Sequence, residues 1–304
     1  MKSTRKSYGE FLTQLGGKDE NVVVLDADLA KATCTAAFKE KFPERHFDIG
    51  IAEQDMIGTA CGMAMSGKTV FASTFAMFLA GRAYEQVRNT AAYSHVPIQL
   101  CATHAGLAVG EDGATHQCIE DIALMNVIPG MTVLCPADDC STKQLLQQCL
   151  QIPGPKYIRL GRNNVPDIYT SDTTFSVGNS NTWGNGKAGT IFAVGNTVSI
   201  ALEAQAMLKE NNIFVRVIDL YSIKPVDKEA IIKAAEETKV LVSIEDHSVI
   251  GGIGSIIASV LCEYFPRPLI KLGVQDQFGK SGNAESLYQM YGITKENIVQ
   301  QFIS

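Results

Sequence analysis

The chain has 304 residues, of which 46% are hydrophobic and 19% charged, enough apolar material for two domains with separate cores. The formal net charge is −6 and there is no run of basic residues, so the charge distribution does not indicate binding to nucleic acid or to an anionic membrane. No apolar run is long enough to span a membrane, and Met1–Lys6 lacks the apolar segment of a signal peptide. We therefore expect a cytoplasmic globular protein with neither a nucleic-acid nor a membrane partner.

The chain carries eight cysteines but no Cys-x-x-Cys pair. Several lie in apolar stretches, where free cysteine commonly packs: Cys34, Cys61, Cys101, Cys149 and Cys262. We therefore expect reduced thiols and no structural zinc site.

In the first half of the chain, runs rich in β-branched residues alternate with longer helical patterns, which indicates βαβ units and a parallel sheet. The predicted strands are Val22–Leu25, His46–Ile49, Val70–Ser73, Ile98–Ala102, Thr132–Cys135 and Tyr157–Leu160. The predicted helices between them are Gln54–Met65, Gly81–Ser94 and Thr142–Leu150. From residue 163 to residue 187 the pattern gives way to small and polar residues, which predicts a connector.

A second block with the same alternation follows the connector. Its predicted strands are Thr190–Val194, Val215–Leu220, Val240–Ile244 and Leu269–Leu272. Its predicted helices are Val198–Lys209, Asp227–Glu237 and Ile253–Tyr264. We therefore predict an α/β fold with two parallel or mixed-sheet domains, residues 1–165 and 188–304, joined by a linker at 166–187.

One glutamate, Glu53, lies among small and apolar residues where a predicted strand gives way to a helix. It falls at the carboxyl end of a strand, the edge where open α/β sheets hold ligands. A carboxylate in apolar surroundings is driven toward its protonated form, which suits it to share a proton with a ligand nitrogen. The alternative is an ordinary acidic residue in a first helical turn, where the helix macrodipole favours negative charge.

A glycine-rich loop between residues 101 and 120 holds His104 and His116, together with Glu111 and Asp112. Such a loop can approach a polar substrate closely, and histidines can donate to hydroxyls or move protons near neutral pH. The alternative is a polar surface loop with a capping aspartate. The density of titratable residues after a strand favours a functional site.

Two aromatic residues, Phe75 and Phe78, follow the predicted strand that ends at Ser73. Their spacing of three residues lets both rings lie on one side of a turn and stack on a flat ligand. The alternative is ordinary core packing, which is the common role of aromatic residues at helical spacing.

Taken together, these segments resemble one family, the transketolases, along nearly the whole chain. The segments similar to the family's pyrimidine-binding domain are Asp26–Leu29, Gly50–Gln54, Ser73–Phe75, Gly110–Gln117 and Ile158–Arg162. The segments similar to its C-terminal domain are Glu245–Ser248 and Gly251–Gly254. The Gly-Asp-Gly element of the family's diphosphate-binding domain does not occur in the sequence.

The resemblance implies the C-terminal subunit of a split transketolase, which transfers a two-carbon ketol unit between sugar phosphates. Thiamine diphosphate and Mg²⁺ are the implied cofactors, and the magnesium ligands would belong to a separate N-terminal subunit. The implied assembly is an α2β2 heterotetramer. Residues 30–33 and Gly81 depart from the family, where a serine and an aromatic residue are common. The family's phosphate contact at residues 30–33 is therefore not carried over, and the substrate size or the phosphate preference is left open.

The resemblance also implies roles on the cofactor side of the site. Glu53 would hydrogen-bond the aminopyrimidine ring nitrogen of thiamine diphosphate and promote activation of the cofactor. Phe75 and Phe78 would pack against the same ring, and Asp28 would approach the thiazolium.

On the substrate side, His104 and His116 would contact sugar oxygens, and His116 would also assist proton transfer. Asp112 would bind a hydroxyl of the donor sugar. Arg162 would bind a terminal phosphate through its planar guanidinium.

Three alternatives share much of this pattern. The β subunit of a 2-oxo acid dehydrogenase first component has the same domain pair, but the polar loop with His104 suits sugar hydroxyls better than a small oxo acid. Deoxyxylulose-phosphate synthase shares the Glu53 and Phe75 segments, but it carries the magnesium half on the same chain. The third alternative is a regulatory subunit that has lost cofactor chemistry, and intact Glu53, His104 and His116 argue against it.

Overall fold

Two mixed β-sheets organise the chain in the computed structural model, which describes residues 1–303. The strands are β1 (Val22–Asp26), β2 (His46–Asp48), β3 (Thr69–Phe75), β4 (Gln99–Thr103), β5 (Thr132–Leu134), β6 (Lys156–Arg159), β7 (Asn181–Trp183), β8 (Gly189–Ala193), β9 (Val215–Asp219), β10 (Ser222–Lys224), β11 (Val240–Ser248) and β12 (Ile270–Val274). The first sheet has the order β10-β5-β6-β4-β3-β1-β2, and the second has the order β12-β11-β8-β9-β7. The predicted fold class, α/β with two mixed-sheet domains, is confirmed.

Helices cover both faces of the sheets. The α-helices are α1 (Thr4–Gly16), α2 (Ala30–Thr33), α3 (Ala36–Lys41), α4 (Glu53–Met65), α5 (Tyr84–Gln86), α6 (Asp121–Asn126), α7 (Asp139–Cys149), α8 (Thr197–Glu210), α9 (Lys228–Glu237), α10 (Ile253–Tyr264), α11 (Ala284–Met290) and α12 (Lys295–Ile303). Among residues 1–303, no helix is long and apolar enough to cross a membrane.

The first sheet is buried on both faces, as its nearly all-parallel pairing requires. In β1, Val23 and Leu25 join the apolar core beneath α4, whereas Val22 and Val24 join the core beneath α1. This alternation follows the two-residue period of a strand. The apolar residues Val22–Leu25 therefore pack into the cores on both faces of the sheet and stabilise β1 within it.

Strand β10 belongs to the first sheet although it follows β9 of the second sheet in sequence. It pairs antiparallel with β5 and forms an edge of the seven-stranded sheet. Nζ of Lys224 also donates to the carbonyls of Asn126 and Ile128, at 2.7 and 2.6 Å. The sequence analysis did not predict β10, because three residues are too few to show a strand period.

Strand β7 lies in the segment predicted to be a linker without secondary structure. It pairs antiparallel with β9, and Trp183 faces Val217 in the register. The sequence does not show a strand pattern here, because the residues around β7 are mostly small and polar. The chain therefore enters the second sheet at Asn181, before the first predicted strand of the second block.

Helix α1 was not predicted, yet it is central to the first domain. It buries Tyr8, Phe11 and Leu12 against the sheet. Gly9 hides the helical pattern, but here a glycine is required, because a Cβ at this position would lie 2.3 Å from the carbonyl oxygen of Cys34. The close approach of backbone to backbone explains why a poor helix former lies inside the helix.

The predicted helix at Gly81–Ser94 is interrupted. Wide π-helical turns at Met77–Arg82 and Val87–Tyr93 flank the short α5. Such turns are rare and are frequent at functional sites. Here the first of them follows directly on the strand end at Phe75 and sets the direction of the side chains of Phe78 and Arg82.

Candidate functional site

Neighbouring parallel strands of the first sheet end at a common edge. Phe75, the last residue of β3, lies opposite Thr103, the last residue of β4, and His104 follows at once. Glu53 begins α4, just after the chain leaves β2. Because the carboxyl ends of parallel strands meet at one edge of a sheet, residues far apart in sequence come together there.

The predicted aromatic and histidine residues form one cluster at this edge. The rings of Phe75 and Phe78 are stacked, with centroids 5.7 Å apart and planes at 14°. The ring of His104 stacks on Phe75, with the centroids 3.9 Å apart. The ring of His116 meets Phe78 edge to face at 5.4 Å. The structure thus joins four predicted site residues into one cluster of flat rings.

Glu53 is 1% exposed, but its surroundings differ from the apolar ones expected from the sequence. Nη1 of Arg82 donates to both carboxylate oxygens, at 2.9 and 2.8 Å. The guanidinium of Arg82 also lies over the ring of Phe78, 4.4 Å from its centroid. The expectation of a carboxylate among apolar groups is therefore wrong. Arg82 thereby links the Glu53 carboxylate to the aromatic stack.

The sequence analysis missed Arg82 as a site residue. The signal that could have revealed it is its spacing of four residues from Phe78, which in a helical segment places a cation over an aromatic face. No local pattern indicates its bond to Glu53, because the two residues are 29 positions apart.

His104 is a buried residue with a left-handed backbone, at φ +58°, and 3% exposure. Its Nδ1 lies 2.9 Å from the hydroxyl of Thr103, and its Nε2 lies 3.4 Å from Nη1 of Arg5. Since a guanidinium only donates, Nε2 is the acceptor and Nδ1 carries the proton. Burial, with Arg5, Arg162 and His116 nearby, lowers the pKa of His104 to about 3. At neutral pH its ring is therefore neutral and presents an acceptor nitrogen.

Arg5, on the unpredicted helix α1, is the second site residue that the sequence analysis missed. Besides facing His104, it donates from Nε to the carbonyl of Arg162 at 3.2 Å and from Nη1 to the carbonyl of Ala32 at 2.6 Å. It therefore ties the histidine end of the site to the chain around Arg162. Burial lowers the pKa of Arg5 from its ordinary value, but an arginine keeps its charge at neutral pH.

Arg162 and Asp112 face each other across the loop at residues 106–112, which we call the 106–112 loop. Nη1 of Arg162 lies 3.5 Å from Asp112 and 3.6 Å from Glu111, and it donates to the carbonyl of Val109. The Arg162 side chain is about one-third exposed, so these pairs are loose and solvated. An arginine held in this way can exchange a carboxylate for a phosphate at modest cost.

Asp28 is the one predicted site residue that the structure does not join to the others. It is exposed, and its backbone is left-handed at φ +59°. Its amide donates to Oδ1 of Asp48 at 2.9 Å, and the same oxygen accepts from the amide of Gly50. Asp28 therefore lies at the same edge of the sheet, fixed by the segment that leads to Glu53, but none of the interactions described for residues 1–303 involves its carboxylate.

The residues at this edge fit the aminopyrimidine half of thiamine diphosphate. The buried carboxylate of Glu53 is linked through Arg82 to a stack of aromatic rings, and a flat nitrogen heterocycle binds well to both kinds of partner. A cavity of about 370 Å³ borders Phe78 and Arg82 and is bounded on the side of the second domain by Phe278 and Gly279. Among residues 1–303, no group of three or more His, Cys, Asp or Glu side chains is arranged to hold a metal ion.

Comparison with protein families assigns both parts of the chain. The family "Transketolase, pyrimidine binding domain" matches residues 1–167. The family "Transketolase, C-terminal domain" matches residues 178–298. The chain therefore belongs to the transketolase family, the family that its sequence motifs resemble.

Individual relatives narrow the assignment. The chain is 45% identical to the "Putative transketolase C-terminal section" of Methanocaldococcus jannaschii, over 99% of this chain and 96% of that protein. It is 39% identical to one of the subunits of an apulose-4-phosphate transketolase of Phocaeicola vulgatus, over 98% of this chain and 96% of that protein. A solved structure, "Split gene transketolase, inactive beta4 tetramer", matches with a TM-score of 0.92 at 45% identity, over 99% of this chain and 97% of that one. The predicted similarity to the C-terminal subunit of a split transketolase is confirmed.

Proposed function

We propose that this chain is the C-terminal subunit of a two-chain transketolase and transfers a two-carbon ketol unit from a ketose phosphate to an aldose phosphate. The observation that carries the proposal is the position of the Glu53 carboxylate, which is buried and linked through Arg82 to the Phe75 and Phe78 stack, while two histidines border the same stack. A carboxylate beside flat rings suits a thiamine cofactor, and the neighbouring imidazoles suit sugar hydroxyls.

On the cofactor side, Glu53 would hydrogen-bond the aminopyrimidine ring, and Phe75 and Phe78 would pack against it. Thiamine diphosphate, when bound, supplies the carbon nucleophile and the electron sink for breaking the C2–C3 bond of a ketose. Arg82 holds the Glu53 carboxylate in one orientation. When the ring binds, Arg82 would give up one of these two hydrogen bonds or share the carboxylate with the ring nitrogen. Asp28 would face the thiazolium from the same edge of the sheet.

On the substrate side, the neutral ring of His104 would accept a hydrogen bond from a sugar hydroxyl through Nε2, in place of its long contact to Arg5. His116, at the end of the polar loop, would contact a second oxygen and move a proton to or from it. Asp112 would bind a hydroxyl of the donor. Arg162 would bind the terminal phosphate, which replaces its loose contacts to Asp112 and Glu111.

The partner in this proposal is an N-terminal transketolase subunit that holds the diphosphate and its Mg²⁺, with an α2β2 assembly. The names of the relatives support it, since they describe a C-terminal section, one of several transketolase subunits and a split gene. The pentose phosphates of general transketolase are the first substrates to test. The sugar named for the Phocaeicola vulgatus relative, apulose 4-phosphate, is the second.

The experiment is a reconstitution. The chain is purified alone and together with a candidate transketolase N-terminal subunit from the same organism, and both preparations receive thiamine diphosphate and Mg²⁺. We expect ketol transfer from xylulose 5-phosphate or apulose 4-phosphate only in the two-chain preparation. Full activity of the chain alone would contradict the two-chain proposal. Decarboxylation of a 2-oxo acid without ketol transfer would instead assign the chain to the 2-oxo acid dehydrogenases.

A further inference from the structure

The end of strand β11 brings three consecutive buried polar residues to the contact between the two domains. Glu245, Asp246 and His247 are 0%, 2% and 0% exposed. Of these, Asp246 reaches across to the 106–112 loop of the first domain. Its Oδ1 accepts a hydrogen bond from the amide of Leu107 at 2.8 Å, and its Oδ2 accepts one from the amide of Ala108 at 3.4 Å.

These two amides need an acceptor from elsewhere in the protein. They begin a 3₁₀ turn at Leu107–Asp112, and the first amides of a helical turn have no partner within it. Both are buried, and a buried amide without a hydrogen-bond partner loses its bond to water without compensation. The carboxylate of Asp246 therefore accepts from the first two amides of the loop, as a helix-capping residue would, although it belongs to the other domain.

The fit between the carboxylate and the loop is close. Gly106 has φ +78°, and a Cβ at this position would lie 2.2 Å from Oδ2 of Asp246. On its other side, Asp246 is oriented by the hydroxyl of Tyr288, which donates to Oδ2 at 2.8 Å. Nη2 of Arg159, in β6 of the first domain, donates to the backbone carbonyl of Asp246 at 2.9 Å. Asp246 is therefore held from three directions.

The far end of the same loop carries the substrate-side groups of the proposed site. The carbonyl of Val109 accepts from Arg162, and Asp112 faces that guanidinium. The side-chain amide of Gln117 links the loop to the second domain again, since it donates to the carbonyls of Gly110 and Lys280 at 3.3 and 2.9 Å. Any displacement at the start of the loop would move the partners of Arg162.

We propose that Asp246 is a positioning residue: from the second domain it fixes the 106–112 loop and thereby the orientation of Asp112 and Arg162 toward substrate. The inference rests on the proposed function only for the identity of that substrate. It assigns the second domain a direct part in shaping the site, through a residue that touches neither cofactor nor substrate.

The test compares two neighbouring carboxylates of β11. Asp246→Asn keeps the shape of the side chain but removes the charge that strengthens both amide bonds. The matched control is Glu245→Gln, because Glu245 is equally buried and also caps amides, those of Ile253 and Gly254 at the start of α10. Amide hydrogen exchange is followed by mass spectrometry in the purified full chain.

We expect Asp246→Asn to speed exchange in the 106–112 loop by about tenfold, the factor that corresponds to about 1.4 kcal/mol of lost protection. Exchange in the first turn of α10 should stay unchanged. Glu245→Gln should give the reverse pattern. Tyr288→Phe should speed loop exchange in the same direction but less, because the carboxylate keeps both amide bonds. Unchanged loop exchange in a folded Asp246→Asn protein would overturn the inference.

Kinetics of the reconstituted two-chain enzyme separate this inference from the proposed function. Asp246→Asn should raise the KM for the phosphorylated sugar several-fold and leave thiamine diphosphate affinity unchanged, since Asp246 makes no hydrogen bond to Glu53 or to the groups that hold it. Faster loop exchange with an unchanged KM would support the role of Asp246 in holding the loop. It would also contradict the assignment of that loop to sugar phosphate binding.

Discussion

At the scale of single residues, the carboxylate of Glu53 is already satisfied before any ligand is considered. Arg82 donates to both of its oxygens and at the same time covers the ring of Phe78. A ligand nitrogen that bonds Glu53 therefore competes with a guanidinium, and a flat ring that stacks on Phe78 competes with the same group. Arg82 thus acts on both contacts through which the aminopyrimidine would be held.

The first prediction concerns Glu53→Gln. The amide can still accept from Arg82 but cannot share a proton with a ring nitrogen as a carboxylate does, so we expect turnover of the two-chain enzyme to fall by at least about a hundredfold. Steady-state assay of ketol transfer measures it. The matched control is Asp55→Asn, an exposed acid in the same first turn of α4, which should leave turnover unchanged. Near-normal turnover of Glu53→Gln would remove Glu53 from its proposed role.

The second prediction concerns His104 and pH. The folded-state pKa of about 3 lies below the ordinary 6.5, so the unfolded state binds more protons between these values. The free energy of unfolding therefore decreases as the pH falls from 6.5 toward 3, by up to about 1.4 kcal/mol per pH unit, because the folded state keeps this ring neutral. Urea unfolding of the native protein and of His104→Asn at pH 7, 6 and 5 tests this.

The stability difference between native protein and His104→Asn should shift in favour of the variant as the pH falls. His247, whose pKa burial lowers to about 4, is present in both proteins and cancels in the difference. Parallel stability curves over this pH range would show that His104 titrates normally.

At the scale of elements, the 106–112 loop is fitted to its surroundings through backbone groups more than through side chains. Gly106 and Gly110 have positive φ angles, and Gln117 bonds three separate carbonyls, those of Leu107, Gly110 and Lys280. The loop therefore tolerates little change in its backbone, although it ends in two exposed acidic residues, Glu111 and Asp112.

The third prediction follows from Gly106. A Cβ there would overlap Oδ2 of Asp246 and would also sit at an unfavourable φ, so Gly106→Ala should destabilise the protein by about 1–3 kcal/mol. Urea unfolding measures the loss. Gly58→Ala is the control, because Gly58 lies in α4 where a Cβ meets nothing within 4 Å, and it should be neutral or stabilising. Similar effects of the two substitutions would argue against a fitted loop.

Sequence reasoning reached the residues whose role depends on their position after a strand. Glu53, Phe75 and His104 each follow a readable strand, so their common edge was predictable. The roles of Arg82 and Arg5 could not be predicted, because their partners, Glu53 and His104, lie 29 and 99 positions away. No sequence periodicity indicates contacts over such separations. The same holds for Asp246, whose acidic side chain bonds amides 138 and 139 positions away.

At the scale of the whole molecule, the chain order does not follow the division into two sheets. After β9 of the second sheet, the chain returns to the first sheet as β10, and then enters the second sheet again as β11. Arg159 and Asp246 add hydrogen bonds between the two domains, and Lys224 adds bonds that hold β10 to the first. The second half of the chain is therefore tied to the first sheet by the pairing of β10 with β5 as well as by side chains.

The fourth prediction is that both domains unfold in one cooperative transition. Trp183, the chain's single tryptophan, lies in β7 and reports on the second sheet by its fluorescence. Buried thiols such as Cys101 in β4 report on the first sheet by their reactivity. The two urea midpoints should coincide, and Lys224→Met should lower both together. Separate midpoints in the native protein would show that the sheets are independent.

The return of β10 also has a consequence for protein engineering. Relatives that differ in their sugar invite chimeras in which one second domain replaces another. If the two sequences are joined in the 166–187 segment, β10 of one protein must pair with β5 of the other, the host. The residue at position 224 would then have to donate to the carbonyls of Asn126 and Ile128 of the host. Functional chimeras will therefore need to keep β10 from the host, which means three crossover points instead of one.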